Sequence, residues 1–214
     1  NEVTFPVGAG VYNYEDDTFN TATVTVTKEL ALLNLSVLLQ GPYDTGTGLM
    51  KDDLRSKSLL ETTSPYADGL TVNSNVFNLG GSSGIGQVQD DIVDWVWIEI
   101  RDSYDISSVL YEQSALLQRD GDIVGLDGLS PLSIDVNYFN AHVVVSHRNH
   151  LGVMSGFSVA LECGGINSFD LKSNSSYVNG GTNAIKDMGD GKFALYAGDF
   201  NGDGQVQNTD KSSV

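Results

Sequence analysis

Cationic side chains are scarce in this sequence: 11 Lys and Arg stand against 28 Asp and Glu, a formal net charge of -17. That balance excludes a nucleic-acid binder and a protein held on anionic lipid, since both need clustered Lys and Arg. Cysteine is rarer still. One residue, Cys163, excludes an internal disulfide. In F-S-V-A-L-E-C it reads as a small, buried apolar side chain closing a strand, with nothing beside it to activate a thiol. A disulfide-free acidic chain points to an extracellular protein of bacterial type. No run approaches the roughly 18 apolar residues that span a bilayer. Enzyme motifs are missing too: there is no G-x-S-x-G, no H-E-x-x-H and no glycine loop opening a helix, because G-G-S-S-G-I-G (80–86) precedes a strand. A glycosidase-like pair of carboxylates would arise by chance in so acidic a chain, and nothing marks one. The expectation is a non-catalytic protein. With neither initiator Met nor signal peptide at N-E-V-T-F-P-V, and four residues after position 210, the chain reads as a piece of a longer one.

What the sequence does have is alternation. T-A-T-V-T-V-T (21–27) is a threonine-faced strand, preceded by turn signals at 8–10 and 15–17, and residues 1–30 form an N-terminal β segment that belongs to or packs on a neighbouring module. L-L-N-L-S-V-L-L-Q (32–40) puts Leu33, Leu35, Val37 and Leu39 on one face before Gly41-Pro42 stops it. Residues 41–90 are a long irregular insertion with a short helix candidate at 51–60, and are where a binding surface is expected. Strands then recur at 93–102, 107–118, 123–126, 131–136, 141–147, 155–163 and 193–198. In the first of these, Val96, Ile98 and Ile100 share one face and Trp95, Trp97 and Glu99 the other. This spacing predicts an all-β fold, an antiparallel β-sandwich over 31–198 closed by a separate loop at 199–214, and the strand pattern resembles transthyretin/Cna-B-like or Ig-like sandwich modules.

That loop, D-F-N-G-D-G-Q-V-Q-N-T-D (199–210), carries the sharpest chemistry. Asp199, Asn201, Asp203 and Asp210 occupy positions 1, 3, 5 and 12 of an EF-hand-type calcium loop, Gly204 occupies the turning position 6, and Gln205 offers its backbone carbonyl at position 7. Gln207 at position 9 can reach the ion directly or through water, and Val206 would anchor the loop to the body. Calcium takes six to eight oxygens at about 2.3–2.6 Å, and this spacing wraps them round one point. The plain alternative is an acidic Gly/Asn turn.

Asp120, Asp122 and Asp127 make a possible second calcium site, although Asp-Gly-Asp is also ordinary hairpin-turn chemistry, which is the preferred reading. His147 and His150, three apart in S-H-R-N-H, fall on opposite faces of a continuous strand and approach only if a turn follows Val145; a zinc site would need another ligand. Arg148, Asn149 and His150 are expected to cap the strand end by bonding loop carbonyls. Tyr43, Tyr66 and Trp97 are the candidates for a sugar-stacking platform, though large aromatics usually serve a core.

Two resemblances follow. Residues 199–210 resemble the calcium loop of a dockerin type I repeat, a variant EF-hand, and the likeness implies Asp199, Asn201, Asp203, the Gln205 carbonyl and Asp210 as calcium ligands. No second repeat is present, so cohesin binding is not implied. Further, G-P-Y-D-T-G-T-G-L-M…D-D-L-R (41–55), A-L-L-Q-R-D-G-D-I-V (115–124) and R-N-H-L-G-V-M (148–154) resemble a region near the end of very large secreted bacterial surface proteins, which runs into such a loop. That likeness implies an extracellular, cell-surface, multidomain parent whose other modules are the partners, and a structural or adhesive calcium-binding role. The alternatives are a carbohydrate-binding module recognising surface glycan, and a filament subunit that self-associates by donating its N-terminal strand.

Overall fold

The computed structural model describes residues 10–15, 21–26, 30–80, 86–135 and 140–212. It divides into two compact units, Asn1–Leu30 and Ala31–Val214. In the first, β1 (Gly10–Glu15) and β2 (Thr21–Val26) form an antiparallel hairpin running from the Gly10–Val26 pair to the Glu15–Thr21 pair. β2 is the threonine-alternating strand, where β-branched residues suit the pleat. The turns expected at 8–10 and 15–17 and the glycine loop at 80–86 fall mostly outside the described residues.

The second unit contains β3 (Ala31–Ser36), β4 (Tyr43–Asp44), β5 (Leu49–Met50), a single helical turn α1 (Asp53–Ser56), β6 (Ile92–Asp102), β7 (Val109–Gln118) and β8 (Asp122–Val124). There follow β9 (Leu132–Ile134), β10 (Ala141–His147), β11 (His150–Met154), β12 (Ile166–Asp170), β13 (Lys186–Asp187) and β14 (Phe193–Ala194). The expected β-rich, antiparallel architecture is what the chain builds. The main sheet runs β11-β10-β6-β7-β8-β3-β12, with β9 also on β3; among these named strands only β12 pairs in parallel, and Leu39 and Leu195 add an isolated parallel bridge.

The path of hydrogen bonds does not stop at β11. Leu195 N donates to the Leu38 carbonyl at 2.7 Å and Gln40 N to the Leu195 carbonyl at 3.1 Å, while on the other side Leu151 N reaches the Tyr196 carbonyl at 2.8 Å and Gly198 N the Asn149 carbonyl at 3.0 Å. Residues 195–198 therefore lie between β11 and the continuation of β3, and the circuit of strands returns to where it began. Such closure leaves fewer raw edges for unwanted pairing.

Alternation explains the core. Leu33, Leu35, Val37, Val96, Ile98, Ile100 and Leu195 are all buried in one apolar cluster. Between Ile92 and Asp94 the register shifts by one residue against β7. Trp95 faces away from Val96 by ordinary alternation, and the bulge reverses the phase so that Ile92 joins it with Leu116 and Val124 in a second cluster on the opposite face. A sheet apolar on both faces needs two covers. The second comes from the 41–90 insertion: Leu60 and Phe77 are buried in this cluster, with Leu54, Tyr66, Val72 and Val76 packed against it. The insertion, expected as a binding surface, spends its apolar side chains on a lid. Its helix is shorter than the 51–60 candidate because Ser58 takes a left-handed backbone, φ 56°, and Leu59 and Leu60 both bond back to the Leu54 carbonyl.

Two further expectations are corrected. Residues 155–163 form no strand: Val159 makes an isolated bridge to Ala141, and the chain then turns at Gly164 (φ 73°) into β12. Cys163, expected to be buried, is exposed beside that turn.

Candidate functional site

The C-terminal loop springs from the closing strand. Gly198, at φ 117°, ends residues 195–198, and a Cβ there would meet Val206 Cγ1 at 3.0 Å. Val206 thus touches the strand exit, yet remains 51% exposed rather than anchored in the body. Gly204, at the turning position, is left-handed with φ 79°, a conformation glycine adopts without strain.

Within the loop the side chains bond the backbone. Asp199 Oδ1 accepts from Asp203 N at 3.1 Å and its Oδ2 from Gly204 N at 3.2 Å. Asp210, on the short 3₁₀ turn Asn208–Ser212, accepts from Phe200 N at 3.1 Å through Oδ1 and from Gln207 N at 2.7 Å through Oδ2. These two carboxylates, at the first and twelfth positions, are only 4% and 3% exposed, whereas residues 200–209 between them are exposed. Among the described residues no Lys, Arg or His forms an ion pair with either.

Asp203 does not join them. Its Oδ2 accepts from Asn201 Nδ2 at 3.0 Å and Gln207 Nε2 at 3.1 Å. Gln205 N donates to Asp203 Oδ1 at 3.0 Å. Consistent with this, no three His, Cys, Asp or Glu side chains among the described residues are gathered in a metal-holding group.

Asp120, Asp122 and Asp127 occupy two separate turns. Asp120 Oδ1 accepts from Asp122 N at 3.1 Å, and Lys172 Nζ bonds both the Asp120 carbonyl and Asp122 Oδ1. Asp127 is committed to its own turn, accepting from Leu129 N, Ser130 N and Ser130 Oγ. Burial pushes the Asp120 carboxyl upward; burial acts the same way on Asp127, but its bonds to Ser130 and Leu129 outweigh that and hold it low.

The aromatic candidates separate. Tyr66 and Trp97 lie 5.6 Å apart with their rings tilted by 34°. Tyr66 is tied down by its hydroxyl, which accepts from Arg148 N at 3.2 Å. Tyr43 sits in the other core, its hydroxyl 2.7 Å from Asp190 Oδ2 and raised to about 12 by burial and that carboxylate. Trp95 is buried, with Nε1 donating to the Glu61 carbonyl at 2.9 Å.

The structure adds a cluster that sequence reasoning missed. The β10–β11 hairpin turns at Arg148-Asn149, pairing His147 directly with His150. The two rings therefore meet edge to face, 4.7 Å apart at 81°, the approach expected only if the strand turned after Val145. Arg148 and His150 do not cap loop carbonyls as expected. Arg148 Nη2 grips both oxygens of buried Asp94, at 2.9 and 2.7 Å, and His147 Nε2 lies 3.2 Å from Asp94 Oδ2. A charged carboxylate inside the sheet needs such partners. Burial raises the Asp94 pKa, but His147, Arg148 and the Trp95 N–H together carry it below the usual carboxylate range. Burial, with His147 close by, pushes His150 down to about 3. The one signal in the sequence was an aspartate interrupting the apolar run I-V-D-W-V-W.

No helix among the described residues is long and apolar enough to cross a membrane. Compared with protein families, with curated proteins and with solved structures, this chain gives no match.

Proposed function

We propose that residues 199–210 bind calcium, and that the ion staples the closing strand into the sheet of a non-catalytic structural or adhesive module. One observation carries this reading: Asp199 and Asp210 bring two nearly buried carboxylates to the two ends of one loop, and no cationic side chain among the described residues pairs with them. Buried anions are costly unless a cation or hydrogen bonds compensate, and backbone N–H groups offset only part of two full charges. A hard divalent cation with oxygen ligands supplies the rest. Asp199, Asp210 and the Gln205 carbonyl would hold it, with Asn201 and Asp203 exchanging their present side-chain bonds for the ion. The acidic composition, the absence of a disulfide and the resemblance of 41–55, 115–124 and 148–154 to secreted surface proteins support a place outside a bacterial cell, among other modules of one polypeptide. The sandwich reading of 31–198 belongs to the same proposal, since the strand circuit encloses one core as two packed halves would.

Calorimetric titration with calcium, alongside thermal unfolding in calcium and in excess chelator, tests it. Metal bound only to the folded state adds to stability. We expect saturable binding, a lower Tm in chelator, and loss of both effects in Asp199→Asn/Asp210→Asn. An identical Tm with and without chelator would overturn it. The half-exposed Trp97 against Tyr66 favours a glycan-binding alternative, which a glycan-array hit abolished by Trp97→Ala would support.

A further inference from the structure

The β10–β11 hairpin fixes which nitrogen carries which proton. Asn149 N donates to His147 Nδ1 at 3.2 Å, so that nitrogen presents its lone pair and the ring proton is on Nε2, facing Asp94. His150 Nδ1 lies 3.0 Å from the same His147 nitrogen and must therefore be the donor. Its own Nε2 is left as a bare lone pair. That atom is buried and has no hydrogen-bond partner, in a residue 7% exposed. Buried acceptors are nearly always satisfied, because an orphan gives up its bond to water and gains none in exchange.

The orphan sits at a cleft. Nε2 is 3.8 Å from the point where Gly41 would carry a Cβ, and Gly41 and His150 both line a cavity of about 400 Å³. Small-molecule sites have roughly this volume. Leu39, Pro42, Leu54 and Val93 give it apolar walls, its exposed charges, Lys51 and Asp53, are of opposite sign, and Asp94, which also lines it with His147, has both oxygens engaged by Arg148 and His147. A carboxylate or phosphate would set lone pair against lone pair at Nε2, and an ammonium would bury a charge. A neutral O–H on an apolar body meets both requirements.

We propose that this cleft is a binding site for a small uncharged alcohol or phenol, recognised by a hydrogen bond to His150 Nε2. The test uses phenol, with benzene as the same ring lacking the donor, each titrated into the whole chain in calcium. Binding is read by calorimetry and by the ¹⁵N shift of His150 Nε2. Phenol should bind at least tenfold more tightly than benzene and move the Nε2 resonance. Gly41→Ala, whose methyl would stand in ordinary contact with Nε2, should weaken phenol at least tenfold while leaving Tm unchanged, and His150→Phe should weaken it as much. Absence of phenol binding, equal binding of benzene, an unmoved Nε2 signal, or a free chain in which Nε2 already carries the proton would each overturn the proposal.

Discussion

Acidification should loosen this protein well above the pH at which its carboxylates protonate, and His150 is the reason. In the folded chain its pKa is pushed down to about 3, whereas an unfolded histidine titrates near 6.5. Below pH 6.5 the unfolded state takes up a proton that the folded state refuses, so stability rises with pH across this window and is lost as pH falls. Each pH unit is worth about 1.4 kcal/mol. Between pH 7.5 and 4.5 the loss through His150 alone comes to about 3 kcal/mol, and it is complete, at about 5 kcal/mol, only below pH 3. Asp68, Asp94, Asp127 and Asp170, whose carboxyls are held low, give up their stabilisation only below the ordinary aspartate range. Asp91 and Asp120, raised by burial, act in the opposite sense. Comparison with His150→Phe cancels all of these. Urea unfolding of both chains at pH 7.5 and pH 4.5, at fixed calcium, should show the wild type losing about 3 kcal/mol more than the variant. Equal losses would refute the reasoning. An NMR titration in which the His150 ring changes protonation near pH 6 would refute it independently, whether or not the variant folds.

Three other perturbations have expected outcomes. Trp95→Ala empties the centre of the second core and should cost about 3–5 kcal/mol by urea unfolding; a loss under 1 kcal/mol would mean that the insertion does not seal that face. Gly121→Ala forces an L-residue to φ 95° with its methyl against the Val37 carbonyl oxygen, and should cost at least about 2 kcal/mol in calcium and in chelator alike. If that cost appeared only in calcium, the turn at Asp120 and Asp122 would be a metal site after all. Arg148→Met leaves Asp94 with His147 as its remaining side-chain partner and should destabilise by about 2 kcal/mol at neutral pH, with most of the loss removed in Asp94→Asn/Arg148→Met; equal costs for the single and double variants would dismiss the pairing as a stabilising contact.

How much of this was legible varied with the physics. Strands announced themselves wherever one face is apolar: Val96, Ile98 and Ile100 alternate, and all three are core. The bulge at Val93 was invisible because Ile92 through Trp97 is apolar apart from Asp94, so either phase fits. β12 was hidden by its modest composition, Ile166-Asn167-Ser168-Phe169-Asp170, and was displaced in expectation by the more apolar stretch before it. The loop at 199–210 was legible as a pattern of donors, since its turns are local. The Asp94–His147–His150 cluster was not, because a two-residue hairpin turn decided it and Asp94 is 53 residues from His147.

The closing strand has a consequence in time. Gln40 and Ala197, whose side-chain-to-backbone bond helps complete the circuit, are 157 residues apart. Every other strand of the circuit precedes residues 195–198, so the sheet is an open, edge-bearing intermediate until those residues arrive. Contacts so distant in sequence form slowly, and an unpaired edge left waiting is an invitation to aggregate. The loop that would take up calcium is the next segment to emerge. If it captures the ion as we propose, metal binding would be the step that locks the sheet shut, after every strand of the circuit is already made.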